Sequence, residues 1–276
     1  MVAVRDTLTS VIIDLQINPG VAPWPVIRDA ARAAEEAGFG ALWTMDHLQG
    51  SVMRAPDMPE CFSLLGALAA ATSSISLGPL VVNVSNRHPG ILANAAATVQ
   101  HVSGGRLLLG LGAGSGPNSP TAAEKRAIGM TPLPTVAQRH SALESALDVI
   151  DELWSPERDS KFESFPRPDP APPILLGVNG EKLARVAGRR TNGVNIRATH
   201  DNARSVVTVA LDEHRASGRS GPFHATLWDF YDESLLDPRD ERRATWESWG
   251  VNRLILIMFE EIDVERIRSA RRLLAS

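Results

Sequence analysis

An aspartate followed directly by a histidine, Asp46-His47, is the first candidate for chemistry. An imidazole titrates near neutral pH, and a neighbouring carboxylate can orient it. The pair follows the apolar run 41–45, so it falls where a strand would end. There His47 can exchange a proton with a reacting group; equally, it can hydrogen-bond a loop while Asp46 caps the next turn. Asn83 near the end of the run 76–84 and Arg87 just after it could each contact a ligand or satisfy loop backbone. The segment 110–118 reads Gly-Leu-Gly-Ala-Gly-Ser-Gly-Pro-Asn. Glycine lets a backbone approach a ligand closely, which makes Gly112, Gly114 and the adjacent Ser115 candidates, with a tight turn as the plain alternative. The order of residues is not a dinucleotide fingerprint, a P-loop or a nucleophile elbow. Further on, Gly177-Val178-Asn179-Gly180 leads into a helical pattern from 181. A glycine-rich turn at a helix N-terminus suits a phosphate, or is an ordinary strand-to-helix turn.

Eight apolar runs must position these groups: 11–17, 41–45, 76–84, 107–112, 174–178, 193–196, 223–228 and 254–259. They are rich in Val, Ile and Leu with little polar alternation, as strands buried on both faces are. Helical patterns separate them. Val26, Ile27, Ala30, Ala34 and Ala37 share one face, with Pro25 near the start and Gly38 as the stop. Others cover 60–72, 89–102, 143–154, 181–190, 203–217, 239–249 and 262–274. Eight strands strictly alternating with eight helices predict a single α/β domain over 1–276, a (β/α)8 TIM barrel. In such a barrel the active groups sit at the C-terminal ends of the strands, which is where the candidates above fall. The Pro-rich stretch 165–173 reads as an extended connector.

Composition excludes several classes. The 276 residues carry a formal net charge of −4, which points away from nucleic acid and anionic membranes. No apolar run is long enough to span a bilayer, and 1–10 does not read as a signal peptide. One cysteine, Cys61, rules out a disulfide framework within the chain and fits a reducing cytoplasm. The seven histidines lack ligand spacing, so no metal site is expected.

Four blocks of sequence resemble the luciferase-like monooxygenase family. The first is Ala33-Ala-Glu-Glu-Ala-Gly-Phe39 leading to Leu42-Trp-Thr-Met-Asp-His47. The second is Leu68-Ala-Ala-Ala-Thr72 with Ile75-Ser-Leu-Gly78. The most specific runs from His88-Pro89 through Ser103-Gly-Gly-Arg-Leu107 to Gly110-Leu-Gly-Ala-Gly114. Pro172-Pro-Ile-Leu-Leu-Gly177 with Asn192-Gly193 completes the set. The wording is closer to the members that use coenzyme F420 than to those that use FMN. The resemblance implies a (β/α)8 barrel, a homodimer, and Asp46 and His47 facing the deazaflavin ring. It also implies a cis peptide at Leu80–Val81 backing that ring. Asn83, Gly112, Gly114 and Ser115 would line the cofactor, and Gly177, Val178 and Asn179 would hold its phosphate.

Two departures bear on mechanism. Some F420-dependent dehydrogenases of the family place a Glu directly after the fourth-strand glycines, where Ser115 stands here, and a Trp soon after Asp-His, where Leu48-Gln-Gly-Ser51 stands. The leading expectation is an F420-dependent oxidoreductase acting on a small organic substrate, with His47 handling the proton and Asp46 orienting it. An FMN-dependent monooxygenase using O2, a cofactor-binding protein with little catalysis, and a phosphate-site lyase or isomerase are the competing readings. The segments 49–59, 117–134 and 229–238 are expected to form the substrate wall.

Overall fold

In the computed structural model, which describes residues 11–274, strands and helices alternate along the chain. Residues 1–10, where no signal peptide is expected, lie outside it. The order is β1 Ile12–Ile17, α1 Trp24–Ala37, β2 Ala41–Thr44, α2 Cys61–Ala71, β3 Ser76–Pro79, β4 Val82–Asn83, α3 Pro89–Val102, β5 Leu109–Gly112, α4 Ala122–Ala127 and α5 Val136–Trp154. Then follow β6 Ile174–Gly177, α6 Glu181–Arg190, β7 Gly193–Arg197, α7 Ala203–Ala216, β8 His224–Phe230, α8 Glu241–Ser248, β9 Arg253–Met258, α9 Val264–Ser269 and α10 Arg271–Leu274.

All the ladders are parallel, in the order β3-β2-β1-β9-β8-β7-β6-β5-β4. The two ends of this sheet meet. Leu77 bridges Leu107 in parallel, and the Leu108 N–H donates to the Leu77 carbonyl at 2.8 Å. The sheet is thereby a barrel of eight staves. Its third stave is broken into β3 and β4 by a cis peptide between Leu80 and Val81.

Side-chain alternation along the staves builds two cores. Ile13, Leu15 and Ile17 of β1 pack outward among the helices, against small side chains such as Ala30, Ala33 and Ala34 of α1. Small helix residues let the helix lie close to the sheet, so the layer reaches interior packing density. Inside the barrel a separate cluster joins Ala41, Trp43, Leu108, Leu175 and Ile255, with Leu80 and Trp228 above it. Below them Asp14, fully buried, accepts from Arg253 Nη1 at 2.7 Å and from Trp43 Nε1 at 2.8 Å. A hydrogen-bonded pair of Asp14 and Arg253 therefore fills the base of the barrel.

Three helical expectations change. Residues 117–134, read as loop, contain the short helix α4, and the last helix, read as 262–274, divides into α9 and α10 at Ala270. The helix expected over 143–154 begins earlier, at Val136. A capping box fixes that start: Thr135 Oγ1 accepts from the Gln138 N–H, and the Gln138 side chain accepts from the Thr135 N–H.

Candidate active site

The strand ends surround a cavity of about 940 Å³. His47, Leu80, Val81, Gly112, Gly114 and Ser115 lie on its wall, as do Gly177, Val178 and Asn179. Asp46 and Asn83 do not. The Asp46 carboxylate, with only 1% of its side chain exposed, is turned to Arg87, whose two terminal nitrogens donate at 2.7 and 2.9 Å. It also accepts from the Asn83 N–H at 3.0 Å. This fork-to-fork pair is the strong form of a charge-assisted hydrogen bond, and it occupies both carboxylate oxygens. The Asn83 side chain accepts from the Ser85 N–H and hydroxyl and caps the turn after β4. Both residues thus brace the wall, and Arg87 spends its charge on the protein rather than on a ligand.

The carboxylate that orients His47 is Glu124, on α4. The Nδ1 of His47 lies 3.2 Å from each Glu124 oxygen, and the Leu48 N–H donates to Glu124 Oε2 at 2.9 Å. The Glu124 side chain is 3% exposed. Burial pushes its pKa up, but the His47 hydrogen bond and the backbone donors outweigh burial and hold it below the ordinary 4.5. An ionised carboxylate can only accept, so Nδ1 carries the proton. Nε2 has no hydrogen-bond partner among the described residues, on a side chain that lines the cavity. Beside it Lys125, also buried, donates to the Ser85 hydroxyl, and burial lowers its pKa against the raising pull of Glu124 and Asp46.

Because the Glu124 pKa is depressed in the folded state, its contribution to stability is full above about 4.5 and is lost as pH falls through the lower folded value. Glu124→Gln removes the charge and keeps the shape. The variant is expected to be about 1–2 kcal/mol less stable at neutral pH, a gap that closes on acidification below the ordinary carboxylate range. Thermal melts of both proteins across that window check this; a gap that stayed constant would remove charge as its source.

Across the cavity, the Leu80–Val81 turn pushes Val81 inward. A Cβ on Gly112 would stand 2.6 Å from Val81 Cγ2, and one on Gly177 would stand 2.9 Å from Val81 Cγ1. Those glycines are therefore required by Val81 itself, and the close approach they permit is first of all to the protein. Gly114, at φ +75°, leaves room for Asn83, whose Oδ1 would be 2.4 Å from an added Cβ. The Ser115 hydroxyl is taken by Thr121 at 2.6 Å. Gln16, 2% exposed on β1, donates Nε2 to the Leu80 carbonyl at 3.1 Å, while its Oε1 has no hydrogen-bond partner among the described residues.

The β6 side of the cavity is cationic. Arg139 and Lys182 line it beside the N-terminus of α6, which has no side-chain cap. Burial and then the charges of Lys182 and Arg139 hold the His140 imidazole below its usual value. Glu181 is the carboxylate on that wall among the described residues, and it is engaged by Ser205 and Arg185. The opposite arc is apolar: Met45, Met53, Trp228, Phe230, Ile257 and Phe259. No cluster of His, Cys, Asp or Glu among the described residues could hold a metal ion.

Of the expected wall segments, 49–59 contributes Met53 and 229–238 contributes Phe230, whereas 117–134 contributes the second layer through Glu124. Trp228 and Phe259 were findable, since they stand at the ends of the seventh and eighth expected strands. Nothing in the sequence singles out Glu124, which is 77 positions from its partner His47. No helix among the described residues is long and apolar enough to cross a membrane.

Comparison with known proteins agrees with this architecture. The family model described as luciferase-like monooxygenase matches residues 7–226. An F420-dependent glucose-6-phosphate dehydrogenase of Microbacterium testaceum is 33% identical over 170 residues, covering 58% of this chain and 48% of its own. A protein of the same description from Beutenbergia cavernae is 33% identical over 246 residues, covering 84% of this chain and 70% of its own. The chain thus spans about half the length of the first of these relatives. A solved F420-dependent secondary alcohol dehydrogenase, in complex with an F420-acetone adduct, superposes with a TM-score of 0.76 over 96% of this chain and 98% of its own. At 18% identity that likeness speaks to the fold alone. The extent of the family match and of the Beutenbergia similarity carries one conclusion: the chain belongs to the luciferase-like monooxygenase family.

Proposed function

We propose that this barrel is an oxidoreductase that binds coenzyme F420 and exchanges a hydride between it and a small organic substrate. The observation that carries the reading is His47: one ring nitrogen is held by a buried carboxylate, and the other has no partner among the described residues, on the wall of a large cavity. The relatives described as F420-dependent support the choice of cofactor. The residues present fit such a group. Its flat ring would lie over the Leu80–Val81 turn, where the orphaned Gln16 Oε1 can accept from a ring N–H. Its anionic tail would reach Gly177, Val178, Asn179 and the uncapped N-terminus of α6, beside Arg139 and Lys182.

When bound, F420 supplies a carbon centre that takes up or gives up a hydride. The chain's own residues do the rest. Nε2 of His47 accepts or returns the proton of the reacting oxygen, and Glu124 stabilises the imidazolium this creates. Asp46 and Arg87 fix the segment that carries His47. The carboxylate absent at Ser115 is thus supplied to the site from α4, one step behind the histidine. A homodimer in a reducing cytoplasm belongs to the same reading, in which the buried free thiol of Cys61 stays reduced.

Arg139→Ala and Lys182→Ala are each expected to weaken F420 binding about tenfold, with the loss smaller at high salt. Titrations at two ionic strengths read this out; a loss independent of salt would sever these residues from the anionic tail. The reaction itself is tested anaerobically, with F420 and a panel of secondary alcohols, by following the visible absorbance of the deazaflavin. Bleaching that needs both alcohol and enzyme is expected. Oxygen uptake with reduced FMN, and no bleaching with F420, would overturn the reading.

A further inference from the structure

We infer that His140 is a ligand for the anionic group held at the α6 end of the cavity, and that it takes up a proton as that group binds, so that affinity falls as pH rises through neutral. The inference rests on the cofactor reading above and adds a proton to its anion site.

Charges on α5 and α6 are handled in two ways. Away from the cavity they are paired: Arg190 holds Asp148 at 2.7 Å and Asp151 at 2.9 Å. On the cavity wall they are not. Arg139 donates to the Leu133 and Pro134 carbonyls, and neither it nor Lys182 has a carboxylate partner among the described residues. Glu181, beside Lys182, is engaged by Ser205 and Arg185. His140 lines the same wall. The charges that act on it are Arg139 and Glu144 on its own helix and Lys182 on α6. Neither ring nitrogen of His140 has a hydrogen-bond partner among the described residues, and Nδ1 is buried. In folded proteins a buried polar atom without a partner is the exception.

The chemistry of the wall names the ligand class. Two unpaired cations and the uncapped start of the ten-residue helix α6 present donors. A neutral imidazole adds one donor to that set, and an imidazolium adds two. A phosphate or carboxylate ligand therefore favours the protonated ring. Without a ligand the ring stands below its ordinary 6.5, because burial and then Lys182 and Arg139 oppose its charge, with Glu144 pulling the other way. A bound anion offsets the two cations and moves the ring up. Between the free and the bound values, binding carries a proton with it. The sign follows from linkage: affinity strengthens as pH falls through the bound value and levels off below the free value.

The test uses the full-length protein and calorimetric titration in two buffers of different ionisation heat, near pH 6.5. The probes are F420 and the same deazaflavin cut back to its ribityl chain, without phosphate or tail. The two share a ring, so its own ionisation cancels in the comparison. F420 is expected to bring a net proton into the wild-type complex beyond that of the truncated probe. Its affinity should rise about tenfold from about pH 8 to about pH 5.5, as one pH unit between free and bound imidazole requires. His140→Gln should abolish the extra proton and flatten the pH dependence, with affinity at the alkaline end close to wild type. Lys182→Ala relieves the free ring of a neighbouring charge and should reduce the uptake. No extra proton in the wild type, or an equal one in His140→Gln, would overturn the inference. If F420 does not bind, inorganic pyrophosphate is the probe. Proton uptake with it that His140→Gln removes would uphold the anion site and discard the cofactor, and no uptake would overturn both.

Discussion

Replacing His47 with alanine is expected to lower turnover by about 10²- to 10⁴-fold while F420 binding is little changed. The size follows from the loss of a general acid–base group positioned by its own carboxylate. The selectivity follows from geometry: the cofactor's expected contacts come from the Leu80–Val81 turn, Gln16 and the α6 end, none of which depends on the imidazole. Glu124→Gln should sit between the two proteins in rate. Its more telling readout is the pH profile, because a glutamine cannot stabilise an imidazolium as a carboxylate does. In the direction of alcohol oxidation the acidic limb of turnover, where the base must be unprotonated, should move to lower pH in this variant. An unshifted profile would mean that Glu124 only packs α4 against the wall. Steady-state rates with one bleaching alcohol, measured across pH, decide both points.

The second large effect is on stability. Asp46→Ala leaves the Arg87 guanidinium, only 13% exposed, with Glu60 at 3.3 Å as its remaining acidic partner. It also strips the Asn83 N–H of its acceptor. Breaking a buried pair from one side costs about 3–5 kcal/mol, which at roughly 2–4 °C per kcal/mol places the melting point about 10 °C lower. Replacing both partners, as Asp46→Leu with Arg87→Met, should recover part of the loss, since no charge is then left unpaired. Calorimetric melts of the three proteins check this; a single variant as stable as wild type would show that the pair contributes no net stability.

The strands were legible because their Val, Ile and Leu runs are buried on both faces, and the barrel followed from their alternation with helices. The sequence blocks around Asp46-His47 and the glycines carried the family, and through it the cis peptide at Leu80–Val81 that splits the third stave. The division of labour inside the Asp-His pair was not legible. Asp46 precedes His47, yet successive residues at a strand end point in opposite directions. The carboxylate goes to Arg87, 41 positions away, and the imidazole finds Glu124, 77 positions away. Such partnerships are made by chain folding and leave no local pattern. The glycines show a different limit. Gly112 and Gly177 mark a close approach, but the approaching group is Val81, which only a structure can name.

The central claim is that this cavity accepts a deazaflavin. Its most direct test is fluorescence titration of the purified protein with F420 and, in parallel, with FMN. The account predicts micromolar binding of F420, weakened by Arg139→Ala and Lys182→Ala, and weak binding of FMN. FMN bound more tightly than F420, or neither bound, would contradict it.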